Sequence, residues 1–383
     1  MTKLALAGGT PEFADGVPFV RPPAPPLDAV VARLADSYNA GMLTNGQLVR
    51  ELEAKAAEIL EVRNVVAVSS CTTGLMLVFR ALNVTGDVLL PSFTFSASAH
   101  AVAWNGLACR FAEVDPLTFN MDLGDAKERT NGIGAILATH VFGAPCRPEE
   151  VEHIGANVGV PVVFDAAHAF GSRRGSRAIG GFGVAEIFSL TPTKPVVAGE
   201  GGFIATNDDA LAEELRLGRE YGNPGDYNTK FVGLNGRMSE MHAAVALCSL
   251  DAFPPHLQRR HEMAERYTAN LAAIPGVRVQ VLDEGDSSTY KDFTIAIESG
   301  AFGCDRDTLV RALKAEGVDT RNYFDPPVHR QDAHAQVGGP DLPVTDRVSS
   351  QVVSLPIYPA LTDSIIDRVS AVIGRVHDSA GSL

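Results

Sequence analysis

The chain has 383 residues, 45 % hydrophobic and 20 % charged, with 32 Lys and Arg against 46 Asp and Glu for a net charge of −14. That length suggests two domains and allows a large core without disulfides or metal. The acidic balance argues against nucleic acid as the main partner, because phosphate backbones select clustered Lys and Arg; a phosphorylated small ligand needs only local donors.

Residues 1–26, rich in Pro and Gly and closing on RPPAPP, read as an irregular arm. Helical patterns at 27–39 and 47–60 follow, separated by a turn-like stretch from Gly41 to Gly46. From residue 65, short β-rich apolar runs alternate with helices. The runs are 65–69, 87–91, 107–114, 134–139, 161–165, 186–190 and 201–206, with helices near 72–83, 94–105, 147–159 and 208–220. Continuous hydrophobicity implies strands covered on both faces, and the alternation implies a mostly parallel α/β sheet. Helices near 238–251 and 256–273, strands near 277–282 and 290–297, a helix near 306–316, a strand near 318–323 and a closing helix near 362–377 read as a smaller α+β domain. The boundary is placed after residue 250: 1–250 for the arm and large domain, 251–383 for the small one.

Four strand ends carry chemistry. An apolar strand runs into Asp165 and His168 in Phe164-Asp165-Ala166-Ala167-His168, and ligands of open α/β sheets bind beyond the carboxyl ends of strands. Read alone, Asp165 is equally a turn or N-cap residue. The stretch from Phe188 through Ser189 to Lys194, leading into Gly199-Glu200-Gly201-Gly202, places one lysine within 178–206, where no other Lys or Arg occurs. A desolvated lysine amine is a nucleophile toward carbonyls, whereas a solvated loop lysine is inert. Ser69-Ser70-Cys71-Thr72-Thr73-Gly74 opens an apolar helix and offers Thr72, Thr73 and free amides to an anion, or serves as a plain N-cap. Phe95, after Pro91-Ser92-Phe93-Thr94, offers a ring to a flat heterocycle or to the core. Together these supply a carboxylate, an amine, a phosphate cradle and a stacking face, the set that pyridoxal 5′-phosphate (PLP) requires.

On FDAAHAFG (164–171), FSLTPTK (188–194) and GEGG (199–202), the chain resembles the DegT/DnrJ/EryC1/StrS family of PLP-dependent sugar aminotransferases, over residues 8 to 375. The resemblance implies a PLP-dependent transferase of fold type I, like aspartate aminotransferase. It implies Lys194 as the Schiff-base lysine and Asp165 as the partner of the pyridine nitrogen. His168 would sit near the cofactor O3′, Ser189, Thr72 and Thr73 at the phosphate, and Phe95 on the ring face. Gly233-Leu234-Asn235-Gly236-Arg237-Met238 resembles the family's G-x-N-x-R-M stretch, which implies that Asn235 reaches the phosphate in the partner subunit of a homodimer with shared sites. The family's phosphate loop usually carries glycine where Cys71 stands. A dehydratase branch has His at the Schiff-base position, so Lys194 favours amino transfer.

PSFTFSASAHAVAWNGL (91–107), SLDAFP (249–254) and LKAEGVDTRNYFDPPVHR (313–330) resemble C-4 aminotransferases that act on dTDP-4-keto-6-deoxy-D-glucose with L-glutamate in antibiotic deoxysugar pathways. Thr44, Asn45, Lys230, Tyr323 and His329 are the candidate sugar contacts, His329 being as readily a structural histidine and Arg237 a salt-bridge residue. The alternatives are a C-3 or cyclitol aminotransferase, a sugar dehydratase, or a non-catalytic regulator of the same fold. A Rossmann oxidoreductase lacks its G-x-G-x-x-G here. Five widely spaced cysteines form no CxxC pair, and no run of 18 apolar residues occurs. Neither a metal site, a disulfide framework nor a membrane partner is expected. MTKLALAGGTPEF shows no secretory-leader pattern, and a reducing cytoplasm is the expected compartment.

Overall fold

The computed structural model describes residues 3–337 and 341–382. After the arm come α1 (Leu27–Asn39), α2 (Gln47–Leu60), β1 (Asn64–Val68), α3 (Cys71–Ala81), β2 (Asp87–Pro91), α4 (Ser96–Trp104) and β3 (Cys109–Ala112). Next are α5 (Leu123–Glu128), β4 (Ile133–Thr139), α6 (Pro148–Val158) and β5 (Val162–Asp165). A two-residue ribbon, β6 (Arg173–Arg174) and β7 (Arg177–Ala178), precedes β8 (Ala185–Ser189), β9 (Gly202–Thr206), α7 (Asp209–Gly218), α8 (Glu240–Asp251) and α9 (Phe253–Leu271). The C-terminal part holds β10 (Val277–Val279), β11 (Phe293–Ile297), α10 (Ser299–Phe302), α11 (Arg306–Ala315), α12 (Pro343–Gln351), β12 (Val352–Leu355) and α13 (Asp363–Ser379).

Seven strands form one sheet in the order β1-β9-β8-β5-β4-β2-β3. Only β9 runs against the others. Successive side chains of a strand point to opposite faces. Ile136, Ala138 and Phe164 therefore join one core with α2, α6 and α8, while Ala135, Leu137 and Val163 join the other with α3, α4 and α7. Both faces are dry, which is why these strands read as unbroken apolar runs. At Gly74 an added Cβ would lie 2.9 Å from Ile187 Cγ2, so glycine lets α3 lie close against β8.

A three-stranded antiparallel sheet, β10-β11-β12, carries the smaller α+β core with α9, α11 and α13. Leu4, Phe13 and Val17 of the arm pack into it. The long helix α9 contributes Phe253 to the large core and Met263, Tyr267 and Leu271 to the small one. A strand expected at 318–323 is absent: Val318 and Arg321 make isolated bridges only, to Val17 and Ser354. The small sheet takes Val352–Leu355 instead, a strand entered directly from α12 with no turn residues to announce it.

One fully buried carboxylate ties the first helices to the large core. Glu240 accepts from the amides of Gly46, Leu48 and Val49 at 2.9, 2.9 and 3.0 Å and from Ser37 Oγ at 3.0 Å. It caps the first turn of α2 from a different helix, where orphan amides need acceptors. Glu240→Ala leaves those donors buried without partners and is expected to lower unfolding stability by about 3 kcal/mol or more. Glu240→Gln, which keeps an acceptor, is expected to lose less; denaturant titration of both variants checks the order.

Candidate active site

Strands β1, β2, β4, β5 and β8 are mutually parallel, so their carboxyl ends share one edge of the sheet. A cavity of about 370 Å³ opens there, within the range of small-molecule sites. Ser70 and Thr72 enter it after β1, Thr94 and Phe95 after β2, Thr139 from β4, Asp165 and His168 from β5, and Ser189 and Lys194 from β8.

Asp165 is buried at the last position of β5. Its Oδ2 accepts from Ser98 Oγ at 2.6 Å and its Oδ1 from the Ala167 amide at 3.1 Å. Ser98 Oγ shares a hydrogen bond with Thr94 Oγ1 at 3.0 Å, and Thr94 with Thr139 at 3.1 Å. This buried chain of three hydroxyls fixes the carboxylate's orientation.

Lys194 has no carboxylate at ion-pair distance among the described residues. Burial, followed by the like charge of Lys291, brings its pKa down to about 8 from 10.5; Asp292, Cys71 and Asp165 pull the other way. About one molecule in ten then carries the neutral, nucleophilic amine at pH 7. Cys71, in the same wall, is pushed well up by burial and stays a thiol.

Ser70 caps α3 through the Thr73 amide at 3.0 Å. Thr73 Oγ1 bonds Ser70 and Ser69, so its hydroxyl serves the turn and does not line the cavity. The first-turn amides of Cys71 and Thr72 have no carbonyl one turn back inside the helix and are open to an anion. Cys71 adopts helical backbone, so the cysteine in place of glycine is no strain on the loop. At Gly202 an added Cβ would come within 2.7 Å of the Cys71 nitrogen, so glycine lets β9 start directly beneath this turn.

Phe95 is 58 % exposed and meets no other ring among the described residues, leaving a face for a flat ligand. His168 Nδ1 accepts from the Phe142 amide at 3.2 Å, which puts the proton of the neutral ring on Nε2. Burial, then Lys194 and Lys291, hold its pKa well below 6.5.

The remaining expected contacts lie elsewhere, apart from Tyr323, which lines the cavity. His329 is interior: Nδ1 is 2.6 Å from Ser92 Oγ and Nε2 3.3 Å from Asp346, which makes it a packing histidine of this chain and corrects its expected place at the sugar. Thr44 donates to the Met238 carbonyl at 3.2 Å, and Asn45 donates to Glu220, which also pairs with Arg237. These bonds hold the 41–46 turn and do not face the cavity. Lys230 and Asn235 are exposed and outside it. Ser98, Thr139 and Lys291 were not anticipated. Ser98 looks like one more small residue of an apolar helix, and Lys291 precedes a strand of the other domain.

The model of the DegT/DnrJ/EryC1/StrS aminotransferase family matches residues 28–374. The chain belongs to this family. It is 29 % identical over 365 residues to the dTDP-4-amino-4,6-dideoxy-D-glucose transaminase of Escherichia coli, covering 93 % of this chain and 98 % of that one. It is 33 % identical to the dTDP-3-amino-3,4,6-trideoxy-alpha-D-glucose transaminase of Streptomyces venezuelae, covering 87 % of each. The structure of DesI in the presence of its TDP-sugar product superposes with a TM-score of 0.93 at 35 % identity, over 98 % of this chain and 96 % of that chain. The enzyme is an aminotransferase of fold type I, and its cofactor is PLP. The cavity fits that group: an amine of depressed pKa, a fixed carboxylate, open helix amides and a free aromatic face.

Because the pKa of Lys194 is lowered, its protonated form is the disfavoured one in the fold. The penalty is full below about 8 and fades as pH rises toward 10.5. Capture of PLP by the cofactor-free protein, trapped with borohydride, is expected to quicken about tenfold per pH unit below 8 and to level above it. Lys194→Ala is expected to leave no trapped label on the active-site peptide.

Proposed function

We propose that the enzyme transfers the amino group of L-glutamate to C-4 of a nucleotide-linked keto sugar, dTDP-4-keto-6-deoxy-D-glucose, in building a deoxysugar. The observation that carries this is a cavity joining Lys194 and Asp165 at adjacent strand ends, in a chain that superposes on DesI over almost its whole length. The 4-amino product of the Escherichia coli relative supports C-4, whereas the Streptomyces venezuelae relative favours C-3 as the second reading.

When bound, PLP supplies an electron-withdrawing ring that stabilises negative charge on the carbon losing its proton. Lys194 Nζ binds the cofactor covalently at rest. When not bonded to the cofactor, Nζ would serve as the base and acid that moves a proton at the reacting carbons, a task suited to a pKa of about 8. Asp165, aimed by Ser98, would hold a proton on the ring nitrogen. Ser189, Thr72 and the first-turn amides of α3 would hold the phosphate, Phe95 would cover the ring, and His168 Nε2–H would donate at the O3′ side. The sugar lies toward Tyr323. The exposed positions of Lys230 and Asn235 suit a homodimer in which Asn235 of the partner subunit reaches the phosphate and the 41–46 turn and Lys230 close over the sugar.

Incubation with dTDP-4-keto-6-deoxy-D-glucose and L-glutamate is expected to yield the 4-amino sugar, with the position of the new amine read by NMR; exclusive turnover of a 3-keto sugar would overturn the C-4 reading. Asp165→Asn is expected to lower kcat on the order of 10³-fold while PLP still binds. Ser98→Ala is expected to cost about tenfold in kcat with little change in KM, and Ser98→Thr to recover part of it, as judged by steady-state rates.

A further inference from the structure

Lys291 is a second amine in the cavity wall, and the reaction described above gives it no task. Its side chain is 4 % exposed. Nζ donates to both oxygens of Asp292 at 2.9 Å and stands 5.0 Å from the Tyr323 ring centre. Lys194 and Lys291 both line the cavity, and Thr193, next to Lys194 in the chain, shares a small recess with Lys291 and Asp292. Arg260 lies fully buried behind them, with Nη1 on the carbonyl oxygens of Tyr290 and Lys291 at 2.8 and 3.5 Å. Lys291 and Arg260 thus face a single carboxylate, Asp292. A buried cation without a full counter-charge is unfavourable, and an anion entering the cavity relieves it.

The chemistry of amino transfer says which anion. The amine of an α-amino acid must arrive where Lys194 Nζ stands, and its carboxylate hangs from the same carbon. That carboxylate therefore lands beside Lys194, where Lys291 is the other ammonium in the wall. A sugar-linked diphosphate is held away from its own reacting carbon by the sugar ring, and a lysine so deeply set beside the reacting amine is out of its path. We propose that Lys291, held in place by Asp292, is the subsite for the α-carboxylate of the amino donor. This rests on the amino-acid donor of the proposed reaction.

The test uses PLP-loaded enzyme and α-methyl-L-glutamate, which lacks the proton that transamination removes and so reports binding by calorimetry without turnover. Lys291→Met is expected to weaken its binding about 10- to 100-fold, the loss of one charge-assisted contact. Lys291→Arg is expected to restore most of it. Affinity for the nucleotide-sugar product is expected to shift by no more than about twofold in either variant. The KM for L-glutamate is expected to rise while that for the keto sugar holds. A Lys291→Met enzyme that binds α-methyl-L-glutamate like the parent, or that loses the nucleotide sugar instead, overturns the proposal. The double variant Lys291→Met/Asp292→Asn removes the ammonium and its contacting carboxylate together; it is expected to show the same loss and decides the matter if the single variant does not fold. If the parent enzyme ignores L-glutamate but accepts another α-amino acid, the donor reading alone fails, and the same comparison applies to that acid's α-methyl analogue.

Discussion

The placement of a half-buried lysine amine just past the end of a central strand, with no carboxylate at ion-pair distance among the described residues, governs the rest of this site. An ammonium there is poorly solvated, so its pKa falls to about 8 and a reactive neutral fraction exists near neutrality. The same cavity holds Lys291, which differs in one respect: Asp292 is in contact with it. Two lysines in one cavity thereby receive opposite treatment. The amine with no carboxylate in contact among the described residues suits covalent chemistry, and Lys291, which shares Asp292 with Arg260, suits holding an anion. Burial first, and then the positive charge of each amine, also keeps His168 neutral.

Such a placement needs a frame that does not relax. Parallel strands buried on both faces fix the ends of β1, β2, β4, β5 and β8 along one edge. Close approaches at Gly74 and Gly202 press the first turn of α3 against β8 and β9, so the open amides of Cys71 and Thr72 stand beside Ser189. The hydroxyl chain from Thr139 through Thr94 and Ser98 to Asp165 links the ends of three neighbouring elements around the carboxylate. On the far side, Phe142 and Phe324 lie nearly parallel to the His168 ring, with interplanar angles of 7° and 13°, and join the two cores at the cavity floor.

The large sheet was legible because a strand dry on both faces writes itself as an unbroken apolar run, and each was followed by a polar strand end. The small sheet was less so. Val352–Leu355 is four residues long and follows α12 without a turn, while 318–323 has strand-like composition but finds only single bridges. Asp165, His168, Ser189 and Lys194 stood out because each follows an apolar run. Ser98 did not, because a serine inside an alanine-rich helix has no local mark of the carboxylate it meets 67 residues away. His329 misled because a histidine after a proline-rich turn looks available, whereas Ser92 and Asp346, distant in the chain, enclose it.

By itself, then, the sequence determined the order of strands and helices in the large sheet and pointed to the amine, the carboxylate and the helix-start turn, since hydrophobic period and strand-end chemistry are local properties. Tertiary structure alone decided which of those groups share a cavity, that among the described residues Lys194 has no carboxylate in contact while Lys291 has one, and that Ser98 orients Asp165. Burial and charge pairing arise between residues far apart in the chain, and they set pKa and orientation, which no local pattern encodes.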